Sequence, residues 1–375
     1  MKNKILLCLA HMSGDEQKYI QEAFDTNWVV PLGPNVDGFE NDIRGFLGEG
    51  KEVVALSSGT AAIHLALVAL GVKAGDEVMV QSFTFCASAN PVVYQGATPV
   101  FVDSEPDTWN MDPDLLDAAI HDRILKTGRK PAAIISVSLY GMPAKMDSLL
   151  AVSAKYGIPL IEDSAEAIGS MYKGRKCSTF GHFGVLSFNG NKMITTSGGG
   201  ALVCHDAGVK KRIMFYATQA REAYPYYQHE KIGYNYRMSN ICAGIGRGQM
   251  NVLEKHVAHH RHLHKMYADL LQDDARVAVK SNPSADFDSN YWLTTIVLDG
   301  VNPDELRMAL DREGIESRLL WKPLHLQPVF ASSPAYVNGV SENLFGRGLC
   351  LPSGPKVSEN DVRYICDVVK RHLHI

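Results

Sequence analysis

The sequence lacks both a surplus of basic residues and closely paired cysteines. Lysine and arginine number 37 against 41 aspartates and glutamates, so the formal net charge is -4 at pH 7. Without excess positive charge to neutralise a phosphate backbone, nucleic acid is not an expected partner. The seven cysteines include no Cys-x-x-Cys pair, and their odd number favours reduced thiols over a disulfide framework. We therefore expect a cytoplasmic protein.

An uninterrupted apolar run of membrane-spanning length is also missing. Residues 53–72 contain no formally charged side chain, and such a run approaches the length of a span. The turn residues 57–60 divide it into a short strand and a helix that is apolar nearly all round, which indicates burial inside a large protein. We predict no membrane helix.

Strands alternate with helices from residue 52 onward. The predicted strands are 53–56, 77–81, 98–102, 132–138, 159–162, 184–188 and 200–204, and most are separated by helices at about 60–70, 86–95, 112–122, 145–156 and 206–220. Strands rich in valine and isoleucine in this alternation predict an α/β fold with a mainly parallel central sheet flanked by helices.

The last third of the chain has a different pattern. A long helical stretch over 239–271 leads to a predicted strand at 291–298 and to helices at 304–313 and 359–373. We expect a large α/β domain at residues 1–250, with an N-terminal arm, and a smaller α+β domain at residues 251–375.

Small polar residues occupy the turn between the first strand and the following helix. Ser58, Gly59 and Thr60 would lie at the helix start, where free N–H groups and the helix dipole attract a phosphate. An ordinary N-cap is an equally good interpretation of the turn alone.

Acidic residues follow the apolar strand that ends near residue 162. Open α/β sheets bind ligands at the carboxyl ends of their strands, and Asp163 is placed there. A carboxylate facing a pyridine nitrogen keeps the ring protonated, which makes the ring a better electron sink. The alternative for this motif alone is a helix-capping acid at the surface.

Lys192 lies in an unusually polar and glycine-rich stretch, residues 187–200. A buried lysine can form a Schiff base, and Ser187 could hydrogen-bond a phosphate nearby. We therefore hypothesise that Lys192 holds pyridoxal phosphate, although a single lysine is more often a surface charge. Phe85 could stack on a flat ring or belong to the core, and Asn235 and Arg237 could hold phosphate or form a cap and a surface ion pair.

Five histidines crowd residues 256–264, and pairs four apart could bind a metal. No acidic or cysteine ligand adjoins them, so we interpret them as a solvated helix face and predict no metal site. A strand followed by Gly-x-Gly-x-x-Gly is also absent, which argues against a nicotinamide-dependent oxidoreductase.

Six motifs together resemble one family. They are Ser-Gly-Thr-Ala-Ala at 58–62, Phe-Thr-Phe at 83–85, Leu-Tyr-Gly at 139–141, Glu-Asp-Ser-Ala-Glu-Ala at 162–167, Ser-Phe-Asn-Gly-Asn-Lys at 187–192 and Gly-Tyr-Asn-Tyr-Arg-Met at 233–238. The set is similar to the nucleotide-sugar aminotransferases of the DegT type, which are fold-type I pyridoxal-phosphate enzymes. The resemblance covers nearly the whole chain, from residue 31 to residue 354.

The resemblance implies roles for individual residues. Lys192 would be the Schiff-base lysine and Asp163 the partner of the pyridine nitrogen, while Asn235 would reach into a neighbouring subunit's site, which implies a homodimer. The implied cofactor-binding set is Ser58, Gly59, Thr60, Phe85, Asp163, Glu166, Ser187, Asn189, Lys192 and Asn235. Glu166 departs from the glutamine or histidine common at its position.

The same resemblance suggests a substrate. Glu166, Asn-Gly-Asn-Lys at 189–192 and the stretch 318–325 are similar to the branch that aminates UDP-4-keto-6-deoxy-N-acetylglucosamine with glutamate, on the way to bacillosamine. Expected neighbours of the substrate are Arg237, Arg318, Trp321, Lys322 and His325. The alternatives are a dTDP- or GDP-linked sugar, a 3-keto sugar, or a non-catalytic regulatory protein of this fold. A related sugar dehydratase is disfavoured, because histidine replaces the lysine there.

Overall fold

The computed structural model describes residues 4–48 and 50–374. Within them lie twelve α-helices: α1 (Glu16–Asp25), α2 (Pro34–Leu47), α3 (Gly59–Ala69), α4 (Asn90–Tyr94), α5 (Pro113–Thr127), α6 (Met146–Tyr156), α7 (Ala207–Ala217), α8 (Asn240–Met250), α9 (Leu253–Leu271), α10 (Pro303–Arg312), α11 (Val340–Arg347) and α12 (Glu359–Leu373). The strands of the first half are β1 (Glu52–Leu56), β2 (Glu77–Gln81), β3 (Thr98–Val102), β4 (Ala133–Val137), β5 (Leu160–Asp163), β6 (Met171–Tyr172), β7 (Arg175–Lys176), β8 (Phe183–Ser187) and β9 (Gly200–Cys204). Those of the second half are β10 (Val277–Val279), β11 (Phe287–Asp288), β12 (Thr294–Leu298), β13 (Arg318–Leu319), β14 (Ala335–Tyr336) and β15 (Gly348–Leu351).

The largest sheet has eight strands in the order β1-β9-β8-β5-β4-β2-β3-β14. Every neighbouring pair from β8 to β14 is parallel, whereas β9 runs antiparallel to both β1 and β8. The strands are buried because helices cover both faces, so they contain continuous apolar runs. The predicted α/β fold with a mainly parallel sheet is confirmed.

A second, antiparallel sheet of four strands follows in the order β10-β12-β15-β13. Its core includes Leu263 and Tyr267 of α9, Leu306 of α10 and Ile365 of α12. One short strand of the C-terminal third, β14, joins the large sheet instead, beside β3. The division into domains at residue 250 therefore stays a prediction, and the large sheet crosses that boundary.

Three elements differ from their predicted form. The helix expected over 239–271 is two helices, α8 and α9, with residues 251 and 252 between them. The segment 86–95 is a 3₁₀ turn followed by α4, whose Pro91 suits a helix start rather than a helix interior. The strand expected at 291 begins at Thr294, because Tyr291 has a φ of 47° that a strand does not allow.

The prediction that the histidines of α9 face solvent is wrong for three of the five. His256, His260 and His264 are buried, because spacings of four place them on the inner face of the helix. His256 Nδ1 lies 3.2 Å from Met193 O and His260 Nδ1 lies 3.1 Å from Tyr291 O, while the ring of His264 stacks on Tyr291. Burial lowers the pKa of His260 to about 3 and of His264 to about 4.

Within residues 4–48 and 50–374, no helix combines the length and the apolar character needed to cross a bilayer. Nor does this part of the chain bring three histidine, cysteine or acidic side chains together as a set that could hold a metal ion.

Candidate active site

A cavity of about 470 Å³ opens where the parallel strands of the large sheet end. Segments far apart in sequence meet there, because the carboxyl ends of parallel strands lie at one edge of a sheet. The predicted site residues that line it are Ser58, Gly59, Thr60, Phe85, Asp163, Glu166, Ser187, Asn189, Lys192, Arg318 and Trp321.

The N-terminus of α3 forms one end of the cavity. Ser58 caps the helix by accepting a hydrogen bond of 3.0 Å from the Ala61 N–H. A side chain at position 59 would place its Cβ 3.2 Å from Ser187 Cβ, so glycine allows β8 to end close to the helix start. The first turn of α3 contains no acidic residue. This end of the cavity therefore fits a phosphate group.

Asp163 is the last residue of β5 and is almost fully buried in the single chain. Ser88 Oγ donates to its Oδ2 at 2.7 Å, and the Ala165 N–H donates to its Oδ1 at 3.2 Å. Burial raises the pKa of the Asp163 carboxyl, while the Ser88 hydrogen bond opposes that change. A protonated ring nitrogen is the kind of cation that such a buried carboxylate requires.

Lys192 follows β8 after a four-residue loop and points into the same cavity. Its Nζ lies 3.3 Å from Glu166 Oε1 and 4.0 Å from the centroid of a Trp292 ring. The lysine side chain is only 14% exposed, which excludes the interpretation as a solvated surface charge.

Glu166 is held in place from the other side. The Tyr140 N–H donates to its Oε2 at 2.7 Å, and Tyr140 itself has a φ of 54°. Burial raises the pKa of the Glu166 carboxyl, and the charge of Lys192 lowers it in part. The structure therefore places Glu166 beside Lys192, even though glutamate departs from the usual residue.

Several lining residues were missed from the sequence. Thr84, Ser88, Asn191 and Trp292 all contribute to the cavity wall. Thr84 and Asn191 belong to predicted motifs without having been assigned a role, and Ser88 lies three residues after the motif at 83–85, so proximity to a motif was the available signal. Trp292 lies 100 positions beyond Lys192, and nothing local in the sequence points to it.

Four predicted site residues lie outside the cavity lining. The buried Arg237 forms an ion pair of 2.7 Å with Glu40 and donates to Ala55 O, so it does not line the cavity of its own chain, and its role as a substrate neighbour stays a prediction. His325 lies between Ser82 and Glu342. Lys322 and Asn235 are both exposed. The ion pair that the sequence offered as the alternative for Arg237 is the observed one, although it is buried.

Comparison with known proteins identifies the family and agrees with the fold. The model of the DegT/DnrJ/EryC1/StrS aminotransferase family matches residues 10–370. The chain belongs to this family. It is 48% identical to EpsN of Bacillus subtilis (strain 168) over all of this chain and 97% of that protein. It is 36% identical to the GDP-perosamine synthase of Escherichia coli O157:H7, over 96% of this chain and 95% of that enzyme.

Solved structures lead to the same family. A DegT DnrJ EryC1 StrS aminotransferase from Brucella abortus superposes with a TM-score of 0.89 at 32% identity, covering 96% of this chain and 95% of that one. Family membership confirms the prediction of a pyridoxal-phosphate-dependent aminotransferase that acts on nucleotide sugars. The helix start, the buried carboxyl and the enclosed lysine fit the phosphate, the ring nitrogen and the aldehyde of that cofactor.

Proposed function

We propose that this aminotransferase moves the amino group of glutamate to C4 of UDP-4-keto-6-deoxy-N-acetylglucosamine. The product would be UDP-4-amino-4,6-dideoxy-N-acetylglucosamine, a precursor of bacillosamine. The observation that carries the proposal is the placement of Glu166, the residue typical of this branch, at 3.3 Å from Lys192 in the cavity. Asn189, Asn191 and Lys192 of the stretch 189–192 line the same cavity, as do two residues of the stretch 318–325, Arg318 and Trp321.

The chain's own groups have distinct roles in this proposal. Pyridoxal phosphate, when bound, supplies an electron sink for the carbon that loses its proton. Lys192 would bind the cofactor covalently and then, once released, carry a proton between donor and cofactor. Asp163 would keep the ring nitrogen protonated. Ser58, Gly59, Thr60 and Ser187 would hold the phosphate, and Phe85 and Asn189 would contact the cofactor beside them.

The choice of an N-acetylated sugar has support in two polar atoms. Trp321 Nε1 and Asn191 Oδ1 are inaccessible to solvent and have no hydrogen-bond partner among the described residues. Both residues line the cavity. An unpaired buried donor and an unpaired buried acceptor each cost stability. We propose that sugar binding turns both side chains towards the cavity, where the carbonyl oxygen and N–H of an acetamido group would pair with them.

The active form would be a homodimer in the cytoplasm. Asn235 does not reach the cavity of its own chain, in agreement with a role in a neighbouring subunit's site. Large apolar side chains near it in sequence are exposed, Tyr227 at 78% and Ile232 at 82%, and Phe24 is 60% exposed. A second copy of the chain would bury this surface. All seven cysteines are free thiols, which suits a reducing compartment.

The experiment is a substrate panel. The purified protein, loaded with pyridoxal phosphate, is incubated with glutamate and with UDP-, dTDP- and GDP-linked 4-keto and 3-keto sugars, and products are identified by mass and NMR. We expect amination at C4 of the UDP-linked N-acetylated sugar. Amination of another sugar alone would overturn the proposed substrate. If glutamate removes the visible cofactor band but no sugar is aminated, glutamate stands as the amino donor and the proposed substrate is overturned.

A non-catalytic regulatory protein is the second candidate. It predicts a cofactor band that glutamate does not change. The enclosed Lys192 and the buried Asp163 favour the enzyme, because a protein that only senses ligands does not require a lysine amine and a buried carboxyl in one cavity.

A further inference from the structure

We propose that Trp292 is a positioning residue for Lys192, holding both its side-chain amine and the main chain before it. The inference rests on the role proposed above for Lys192. Trp292 lies between β11 and β12, outside the large sheet, is 2% exposed, and lines the cavity.

The first contact is made by the face of the indole ring. Lys192 Nζ lies 4.0 Å from the ring centroid and 3.3 Å from Glu166 Oε1, so the amine is held between an aromatic face and a carboxyl group. The ring face and the carboxylate both attract a cation, so together they restrict where the amine lies.

The second contact is made by the indole N–H. Trp292 Nε1 donates to the main-chain oxygen of Asn191 at 2.7 Å, which fixes the residue immediately before the lysine. Phenylalanine at position 292 would keep an aromatic face and lose this hydrogen bond. Leucine would lose both contacts.

Asn290 connects Trp292 to the loop that carries Glu166. Its Oδ1 accepts from the Trp292 N–H at 2.8 Å, and its Nδ2 donates to Glu166 O at 3.0 Å and to Ile168 O at 2.9 Å. The segment 290–292 therefore ties the loop that carries Glu166 to the loop that carries Lys192. The distance between the carboxyl and the amine is set from this segment.

The test uses the full-length protein freed of its cofactor. Pyridoxal phosphate is added at a series of pH values, and the rate at which the visible Schiff-base band appears is plotted against pH. Because the neutral amine is the reacting form, losing the aromatic face should move the midpoint of this curve down by about one pH unit in Trp292→Leu. Trp292→Phe should keep the midpoint and lower the plateau rate several-fold.

A matched control is available in the same chain. Trp109 is also buried and has Lys280 Nζ at 4.9 Å from its ring, but it lies outside the cavity, so Trp109→Phe should change neither quantity. Trp292→Met is measured beside the leucine variant in case the latter does not fold, because the flexible methionine side chain fills irregular gaps in a core.

A wild-type midpoint in either folded variant without a ring would overturn the inference. The Lys192→Ala protein separates this failure from that of the proposed function. If that protein still forms the band, Lys192 is not the reactive amine and the function proposal fails. If it forms no band while the Trp292 variants behave as wild type, only the role of Trp292 fails.

Discussion

The two sides of the cavity are built in different ways. On the side of the large sheet, Asp163 and Glu166 are buried and each accepts hydrogen bonds from within the chain. On the other side, the Arg318 side chain is 58% exposed, with one guanidinium nitrogen 2.9 Å from Glu316 Oε1, and the Trp321 indole N–H has no partner among the described residues. The first side is complete before a sugar arrives, whereas the second keeps polar groups for a ligand. We infer that the chemistry depends on the first side and the choice of sugar on the second.

The largest effect is expected at the lysine of the first side. Lys192→Ala should abolish turnover, because proton transfer by a positioned side chain contributes roughly 10² to 10⁴ in rate and the covalent step is lost as well. The variant should still bind the cofactor non-covalently. Lys176→Ala is the control, since Lys176 also lies over an aromatic ring, that of Phe46, but outside the cavity. Near-normal turnover in Lys192→Ala would contradict the whole assignment.

A smaller loss is expected from the carboxyl of the same side and its support. Asp163→Asn removes the charge that keeps a ring nitrogen protonated, and should lower kcat by at least about 100-fold. Ser88→Ala keeps the carboxylate and removes one hydrogen bond of 2.7 Å, so a loss of about 10-fold is expected. Single-turnover rates with glutamate measure both. Equal losses in the two variants would mean that the rate depends on the Ser88 hydrogen bond as much as on the Asp163 charge.

The sequence predicts the first side of the cavity far better than the second. β2, β3 and β9 begin and end at the predicted residues, because a strand buried on both faces is a continuous apolar run with turn residues at its ends. Asp163 and Lys192 belong to local motifs at strand ends. Trp292 has no such motif, since its place depends on how the chain returns to the large sheet after α9.

Burial explains two differences between the structure and what the sequence indicates. The sequence pattern does not reveal that Arg237 has a buried partner 197 positions earlier, in Glu40. In the same way, the histidines of α9 are polar by composition, and contacts with Met193, Tyr291 and Ser281 stabilise their inner face inside the protein. Contacts between residues far apart in the sequence, rather than local propensity, determine the burial of Arg237 and of these histidines.

A change on the second side should affect sugar choice and leave the cofactor alone. Trp321→Phe keeps the ring and removes the N–H, so KM for the N-acetylated sugar should rise about 2- to 10-fold, the range for one hydrogen bond. Cofactor affinity and the half-reaction with glutamate should stay at wild-type values. A matching 2-hydroxy sugar nucleotide provides the control. If KM rises equally for both sugars, Trp321 contributes packing and does not recognise the acetamido group.

The smallest effect concerns the free energy of unfolding and the residues that pack behind the second side of the cavity. His264 stacks on Tyr291, the neighbour of Trp292, at 3.5 Å between ring centroids. Burial lowers its folded-state pKa to about 4, below the unfolded value of 6.5. The unfolded chain therefore binds more protons below pH 6.5, and stability is lost as the pH falls from 6.5 towards 4.

Between pH 7 and pH 5 this histidine should cost about 2 kcal/mol of the free energy of unfolding. His264→Phe keeps a ring against Tyr291 and cannot titrate, so the loss on acidification should be smaller by that amount in urea unfolding at the two pH values. His262→Gln is the matched control, because His262 is exposed on the same helix. An unchanged loss in His264→Phe would show that His264 is not what makes this side of the cavity sensitive to acid, and would leave the buried His260, with its pKa of about 3, as the group to replace next.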